Sequence, residues 1–274
     1  MATSTGRRAG VLGQPVAHSL SPVLHRAAYA ALGLDWTYEA IECGAEDLPG
    51  VLSERADWAG FSCTMPLKHA ALEIAAEVRP LAGAVGSANT LLPGPDGWVA
   101  DNTDVAGIVA ALAEFAVAPR TVTVLGAGGT SQAVLAALLA LGVPACTVLV
   151  RDPARIDRAL DTAGRLGVAV AVETLHPDAA ALGADLVVST LPSGAADPFA
   201  TRPWAPTQTL FDVAYDPWPS ALAEAAGRGG ARVISGALLL LHQAAVQVEL
   251  MTGQEPPVDE MREALRAATP HAGL

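Results

Sequence analysis

The chain of 274 residues is long enough for one large domain or two ordinary ones, and its 51% of hydrophobic residues can fill a substantial core. A formal net charge of −12 at pH 7 argues against a nucleic-acid backbone as the main partner. It also means that an anionic ligand must be held by local donors rather than by a positive surface field.

The cysteines and the hydropathy narrow the class of protein further. Cys43, Cys63 and Cys146 form no CxxC pair, and their odd number argues against a disulfide framework. No apolar run comes near the roughly 20 residues that a membrane span needs. The polar, basic N-terminus does not resemble a signal peptide. We therefore expect a cytoplasmic protein without a membrane or nucleic-acid partner.

In chain order, the N-terminal part alternates strands with helices, a pattern typical of α/β folds with parallel sheets. Ser21 is expected to cap the first helix, with Pro22 at its first position. The pattern predicts helices over residues 21–32 and 67–78, and strands over residues 7–12, 36–42, 60–64, 88–92 and 98–100.

After a helix predicted over residues 104–115, the strand–helix pattern restarts, which predicts a domain boundary near residue 103. The second part is predicted to contain strands over residues 121–125, 146–150, 169–172, 185–189, 209–212 and 232–234. Its predicted helices cover residues 130–141, 236–251 and 258–268.

Lys68 is the only lysine, and the rest of the 16 basic residues are arginines. A surface cation can be either residue, but only lysine can give up its proton once its pKa is lowered. Lys68 is therefore a candidate acid/base catalyst, although a single remaining surface lysine would give the same count. Thr64 ends the preceding predicted strand and Pro66 stiffens the turn, so Lys68 opens the next helix.

Polar side chains also occur at other predicted strand ends and loop edges, in Ser87-Ala88-Asn89-Thr90 and in Asn102-Thr103-Asp104. Open α/β sheets collect ligand groups at the carboxyl ends of their strands. If these loops converge, they surround Lys68 with hydroxyl, amide and carboxylate groups, which suits a small, oxygen-rich substrate. Each of these residues alone would more often be a cap or a turn residue.

A glycine-rich turn, Gly126-Ala127-Gly128-Gly129, stands between a predicted strand and a predicted helix. Glycines let the backbone approach a pyrophosphate, and the helix start presents free N–H groups. Ser131 stands where the usual third glycine would be, so the fingerprint is a variant. The turn predicts a dinucleotide site more strongly than it predicts a tight turn without a ligand.

The end of the next predicted strand bears on the choice between NADP and NAD. An acidic residue near this point holds the ribose 2′-hydroxyl in NAD enzymes. Here Arg151 comes first and Arg155 follows, and two guanidinium groups could clamp a 2′-phosphate. We therefore favour NADP. Asp152 could serve NAD or cap a helix, and a solvated, arginine-rich helix start that includes Arg158 is the competing interpretation.

Taken together, these motifs resemble the shikimate dehydrogenases, in identity and in order, over nearly the whole chain. The N-terminal motifs of the resemblance are Ser19-Leu20-Ser21-Pro22, Thr64-Met65-Pro66-Leu67-Lys68, Ala88-Asn89-Thr90, Asp101-Asn102-Thr103-Asp104 and Gly126-Ala127-Gly128-Gly129. The C-terminal motifs are Asp212-Val213-Ala214-Tyr215, Ser235-Gly236 and Gln243-Ala244-Ala245.

The resemblance implies reversible, NADPH-dependent reduction of 3-dehydroshikimate to shikimate, a step of chorismate and aromatic amino-acid biosynthesis. It implies an α/β fold with a substrate domain over residues 1–103, a doubly wound, Rossmann-type NADP domain over residues 104–236, and residues 237–274 packing back on the substrate domain.

The resemblance also assigns roles to residues. It makes Lys68 the acid/base, paired with Asp104. It gives substrate contacts to Ser19 and Ser21 (carboxylate), to Thr64, Asn89, Asp104 and Gln243 (ring hydroxyls), and to Tyr215. It gives the cofactor phosphates to Gly126, Ala127, Gly128, Gly129, Thr130 and Arg151, and the nicotinamide to Val213 and Gly236.

Three positions depart from the family pattern: Ser62 replaces a frequent Asn, Val150 an Asn that often precedes the arginine, and Leu238 a frequent Gly. None removes a group that the chemistry needs. The alternatives are an NAD(P)-dependent quinate/shikimate or aminoshikimate dehydrogenase and, more distantly, a non-catalytic dinucleotide-binding regulator. We expect no metal site and a monomer or homodimer.

Overall fold

The computed structural model describes residues 6–271, except for the side chain of Arg155. It divides into two compact units. The first contains the described residues up to Gly107 and Leu240–Ala268, and the second contains Ile108–Leu239 with the described residues from Thr269 onward. The boundaries predicted from the sequence, after residues 103 and 236, lie a few residues from these points.

The strands, in chain order, are β1 (Arg8–Gly13), β2 (Thr37–Glu42), β3 (Gly60–Cys63), β4 (Glu77–Val78), β5 (Thr90–Gly94), β6 (Gly97–Asp101), β7 (Val122–Leu125), β8 (Ala145–Val150), β9 (Ala169–Thr174), β10 (Leu186–Ser189), β11 (Thr209–Asp212) and β12 (Arg232–Ser235). The α-helices are α1 (Ser21–Ala31), α2 (Leu48–Glu54), α3 (Lys68–Ile74), α4 (Pro80–Val85), α5 (Asp104–Glu114), α6 (Gly129–Ala140), α7 (Asp157–Leu166), α8 (Ala221–Arg228), α9 (Gly236–Thr252) and α10 (Val258–Ala268).

The first unit is built on a six-stranded sheet in the order β2-β1-β3-β5-β6-β4. Its pairs are parallel except that β5 runs antiparallel to both β3 and β6. The expectation of parallel pairing is therefore wrong for β5. The short turn between Gly94 and Gly97 is the reason, because so short a connection can join only antiparallel strands. Leu12, Phe61 and Leu91 are fully buried in the core of this unit.

The second unit contains a six-stranded, wholly parallel sheet in the order β12-β11-β10-β7-β8-β9. Numbered within the unit, this is the order 3-2-1-4-5-6 of doubly wound dinucleotide-binding sheets, read from the opposite edge. The central strands β7, β10 and β11 are buried along their length, as parallel strands covered on both faces must be. The predicted fold class is confirmed.

The helix predicted over residues 67–78 is too long, since α3 ends at Ile74. The residues that follow pair with β6 instead: Ala76 N donates to Trp98 O and Arg79 N to Ala100 O. Arg79 also precedes Pro80, and a residue before proline disfavours helical backbone. Tertiary pairing thus overrides the helical propensity of this alanine-rich stretch.

The start of α1 also differs from the prediction. Helix α1 begins at Ser21 itself, with Leu20 at the capping position, so Ser21 is not the N-cap. The hydroxyl of Ser19 accepts a hydrogen bond from Ser21 N at 3.3 Å, which makes Ser19 the side chain that binds a free N–H here.

Several short helices were not predicted: α2, α4, α7 and α8. Helices α2 and α4 are only one or two turns long, so they offer too few residues for a clear periodic pattern. None of the helices within residues 6–271 combines the length and the apolarity needed to cross a bilayer.

Candidate active site

Lys68 and Asp104 form an ion pair at the first residues of α3 and α5. Lys68 Nζ donates to Asp104 Oδ2 at 2.5 Å, and the two side chains are only 17% and 6% exposed. Asn102 fixes the start of α5, because its Oδ1 accepts from Asp104 N at 3.0 Å. The lysine that composition singled out is therefore held against a buried carboxylate rather than exposed at the surface.

Asn89, at the edge of β5, orients the other oxygen of this carboxylate. Its Nδ2 donates to Asp104 Oδ1 at 2.8 Å, while its Oδ1 accepts from Thr103 N at 2.8 Å. The two contacts set which end of the amide is oxygen and which is nitrogen. Lys68 and Asn89 thus occupy both oxygens of Asp104.

Gln243 joins the same cluster from α9. Its Oε1 lies 3.2 Å from Asn89 Nδ2 and 3.4 Å from Thr103 Oγ1, and its Nε2 donates to Leu240 O at 2.9 Å. An amide near the end of the chain thereby meets residues from its first part. Four of the predicted site residues are linked by direct hydrogen bonds: Lys68, Asn89, Asp104 and Gln243.

The remaining predicted substrate residues of the first unit lie on other loops. Thr64 follows β3, and Gly13 packs so closely against it that a Cβ at residue 13 would overlap the Thr64 side chain. Ser21 is buried and Ser19 partly exposed. The hydrogen bond between Ser19 and Ser21 is local to the start of α1, so these two serines form a group of their own.

The glycine-rich turn of the second unit joins β7 to α6. Gly126 has φ of +102°, which favours glycine, and a Cβ there would lie 2.7 Å from Thr190 Oγ1. A Cβ on Gly128 would meet nothing within 4 Å. Ser131 Oγ donates to Gly126 O at 2.8 Å, so the residue at the variant third-glycine position ties the turn to the helix. Ala127 lies in the turn, and Gly129 and Thr130 are the first two residues of α6.

In the segment after β8, Asp152 has the capping role, one of the two roles considered for it. Its carboxylate accepts a hydrogen bond from Ala154 N at 3.0 Å and so caps the short 3₁₀ helix that begins at Pro153. Arg151 is exposed beside it. The side chain of Arg155 lies outside the described part of the structure.

Val213 and Tyr215 lie in the loop after β11 and Gly236 begins α9, and all three belong to the second unit. A Cβ on Gly236 would overlap the carbonyl of Val213, so these two positions are in direct contact. Burial, followed by the charge of Asp216, raises the pKa of Tyr215, which keeps its phenol protonated. Asp212 anchors the loop by accepting from Ser220 Oγ at 2.6 Å.

Three polar residues of these sites were not predicted as functional: Gln247, Thr190 and Ser220. Gln247 lies one helical turn after Gln243, so i, i+4 spacing was the available signal. Within residues 6–271, no group of three or more His, Cys, Asp and Glu side chains is arranged to hold a metal ion.

The doubly wound sheet with its glycine turn, and the separate unit with a lysine–carboxylate pair, define a two-unit α/β protein of the dinucleotide-binding class. The family model of the shikimate dehydrogenase substrate binding domain matches residues 11–91. The model of the shikimate 5′-dehydrogenase C-terminal domain matches residues 237–266. The chain belongs to the shikimate dehydrogenase family, as the resemblance predicted.

Individual relatives match over almost their whole length. Shikimate dehydrogenase (NADP⁺) of Geobacter metallireducens is 32% identical, covering 97% of this chain and 98% of the relative. The crystal structure of Mycobacterium tuberculosis shikimate dehydrogenase is 47% identical, with a TM-score of 0.85 over 95% of this chain and 99% of that one. The shikimate 5-dehydrogenase of Thermus thermophilus in complex with NADP(H) and shikimate is 34% identical, with a TM-score of 0.81 over 96% and 99%.

Proposed function

We propose that this protein is a shikimate dehydrogenase that transfers hydride reversibly between NADPH and the C3 carbonyl of 3-dehydroshikimate. Its product, shikimate, would serve chorismate and aromatic amino-acid biosynthesis. The observation that carries the proposal is the Lys68–Asp104 pair, held at 2.5 Å with both side chains largely buried, in a member of this family. A regulator that only bound a dinucleotide would not need this proton-transfer pair.

The proposed chemistry gives Lys68 one task. Reduction of a carbonyl leaves an alkoxide that needs a proton, and the Nζ of Lys68 can donate it and recover it in the reverse direction. Asp104 and Asn89 keep the ammonium group at a fixed point, because the carboxylate is held from both sides. Burial excludes competing water and strengthens these contacts.

The amide cluster suits a polyhydroxylated substrate. Asn89 Nδ2 has two hydrogens but three acceptors within 3.2 Å: Thr103 Oγ1, Asp104 Oδ1 and Gln243 Oε1. The contact with Gln243 is the longest of the three, so Gln243 is the group that can turn towards a substrate hydroxyl at least cost. Ser19 and Ser21 would hold the substrate carboxylate, and Thr64 and Tyr215 would add further contacts.

The cofactor would be held by the second unit. Gly126 to Thr130 offer backbone N–H groups at the start of α6, and the open space at Gly128 supports close approach of a pyrophosphate. NADPH would supply the hydride. Capping by Asp152 leaves Arg151 as the cation for a 2′-phosphate, which supports NADP over NAD. Arg155 would be a second clamp, and Val213 and Gly236 would line the nicotinamide.

A cytoplasmic, monomeric or homodimeric enzyme completes the proposal. The free and buried state of Cys43, Cys63 and Cys146 supports a reducing compartment.

A spectrophotometric assay that follows NADPH formation from shikimate tests the proposal. We expect kcat/KM for shikimate with NADP to exceed the values for quinate and for NAD. Higher kcat/KM with quinate or NAD would favour the quinate/shikimate alternative, and greater activity on an amino-substituted substrate would favour an aminoshikimate dehydrogenase. NADP binding without turnover of any of these substrates would contradict the proposal and favour a regulator.

A further inference from the structure

A chain of buried hydrogen bonds runs through the first unit towards Asn89. It begins at Tyr38, whose hydroxyl lies 2.5 Å from Ser62 Oγ. Ser62 Oγ donates to Gln247 Oε1 at 2.6 Å, and Gln247 Nε2 donates to Asn89 O at 3.1 Å and to Thr90 Oγ1 at 2.9 Å. Thr90 Oγ1 then donates to Asn89 Oδ1 at 2.9 Å.

The directions of these bonds follow from what each group can donate. An amide oxygen only accepts, so the single proton of Ser62 points to Gln247, and Tyr38 must donate to Ser62. The hydroxyl of Thr90 accepts from Gln247, and its own proton is donated to Asn89 Oδ1. The chain thus has one consistent direction, from Tyr38 to the oxygen of Asn89.

His25 strengthens this direction. The ring is fully buried and stacked on Tyr38 at 4.0 Å, and burial lowers the pKa of His25 to about 3, so the ring is neutral. Its Nε2 lies 3.3 Å from Gln247 Oε1 and its Nδ1 lies 3.4 Å from the hydroxyl of Tyr29. With the proton on Nε2, both contacts are satisfied. Gln247 Oε1 then has two donors, which keeps the NH₂ group turned towards Asn89 and Thr90.

The secondary structure brings these residues together. Ser62 on β3 and Thr90 on β5 are direct partners in an antiparallel pair, so their side chains lie on the same face of the sheet. Gln243 and Gln247 are one turn apart on α9, so both can point to that face. Gln243 accepts a hydrogen bond from the side-chain nitrogen of Asn89. Gln247 donates to the backbone carbonyl of Asn89 and is linked through Thr90 to its side-chain oxygen.

We propose that Gln247 is a positioning residue for the reaction: it fixes the amide of Asn89 and, through it, the Asp104 carboxylate that holds Lys68. The inference rests on the proposed function, since it concerns the same site. Gln247 is completely buried and its NH₂ group binds Asn89 and Thr90, so its effect on the ion pair passes through these two residues. If the amide of Asn89 turned over, its oxygen would face the oxygen of Asp104.

The first test compares two variants of Thr90, the residue that links Gln247 to the side chain of Asn89. Thr90→Val removes the hydroxyl that accepts from Gln247 and donates to Asn89, whereas Thr90→Ser keeps it. We expect Thr90→Val to lower kcat/KM for shikimate by about 10- to 100-fold, the effect of a misplaced reacting group. Thr90→Ser should stay within about threefold of the wild type, and KM for NADP should not change in either. Equal activity of the two variants would overturn the proposal.

The second test replaces Gln247 by methionine, which has a similar shape but no amide. Gln208→Met is its control, because Gln208 is also buried and its amide binds mainly backbone groups of the second unit. Both variants should lose thermal stability, but only Gln247→Met should lose turnover with shikimate, by about 10- to 100-fold. Equal turnover losses in the two variants would mean that Gln247 has only a structural role.

The double variant separates positioning from independent damage. If Gln247 acts through Thr90, Gln247→Met and Thr90→Val together should lose no more turnover than the larger single loss. Multiplication of the two losses would contradict the proposal. Should Gln247→Met fail to fold, the Thr90 pair decides alone. Wild-type protein without shikimate activity would count against the proposed function, whereas an active wild type with an inactive Thr90→Ser would count against this inference only.

Discussion

Gly236 lies against the carbonyl of Val213 so closely that any side chain at residue 236 would overlap it. We expect Gly236→Ala to cost roughly 1–3 kcal/mol of unfolding free energy, because the contact is with backbone that cannot rotate away. It should also lower turnover if these residues line the nicotinamide. Urea denaturation and steady-state kinetics measure the two effects.

Gly164 provides the control for that substitution. It lies inside α7 with open space around the position of a Cβ, so Gly164→Ala should be neutral or stabilising by roughly 0.5–1 kcal/mol. A Gly236→Ala protein as stable as Gly164→Ala would show that the loop after β11 can move aside.

Lys68→Arg tests the proton donor. Arginine keeps a positive charge beside Asp104 but cannot release its proton, so we expect kcat to fall by about 10²- to 10⁴-fold in both directions. Thermal stability should change little. Arg79→Lys is the converse exchange at the neighbouring ion pair with Asp101, 2.8 Å long, and should leave kcat within a few-fold. Near-native turnover of Lys68→Arg would exclude Lys68 as the donor.

Arg151→Ala tests the choice of cofactor. Loss of a charge-assisted hydrogen bond to a 2′-phosphate costs about 1.5–3 kcal/mol, so KM for NADP should rise about 10- to 100-fold. Kinetics with NAD should stay unchanged. Arg228→Ala removes an exposed arginine paired with Glu224 on α8, and should affect neither cofactor. An equal loss with NADP and NAD in Arg151→Ala would contradict the phosphate clamp.

His25 makes the stability of the protein depend on pH. Burial lowers its pKa from 6.5 to about 3, so the unfolded chain binds a proton that the folded protein rejects. Proton binding by the unfolded chain therefore lowers the unfolding free energy as the pH falls from 6.5 towards 3. Above pH 6.5 the unfolding free energy is not reduced in this way. Between pH 7 and pH 4 the loss from His25 should be roughly 3 kcal/mol.

Urea denaturation of the wild type and of His25→Gln at several pH values measures this difference. The variant should lose less unfolding free energy on acidification. His176→Gln is the control, because it makes the same exchange at a histidine that is largely exposed. Parallel pH profiles for the wild type and His25→Gln would refute the prediction.

Much of the site could be predicted because the residue types themselves, a lysine, an asparagine and an aspartate, indicate the chemistry. A single lysine near a strand end, followed by Asn89 and Asp104 at other strand ends, indicates proton transfer in an α/β fold. The i, i+4 spacing of Gln247 from Gln243 does not by itself indicate a function, since a buried glutamine on a helix is usually structural. Its partners become visible only when β3 and β5 pair and place Ser62 beside Thr90.

Long-range pairing also explains why two features of the fold were predicted wrongly. The stretch after Ile74 has helical propensity, and only its pairing with β6 makes part of it a strand. The antiparallel direction of β5 depends on the tight turn that joins it to β6. Local pattern predicts what a segment can form, and long-range pairing decides what it does form.

The return of α9 to the first unit has a consequence for biosynthesis of the protein itself. Asn89, Thr90 and Ser62 receive hydrogen bonds from, or give them to, a residue that is translated more than 150 positions after them. Until Gln247 has emerged from the ribosome, these buried groups lack that hydrogen-bond partner. The first unit of the nascent chain is incomplete until then. Completion of the site is therefore a late event in synthesis, and a chain terminated before α9 would lack both glutamines that hold Asn89.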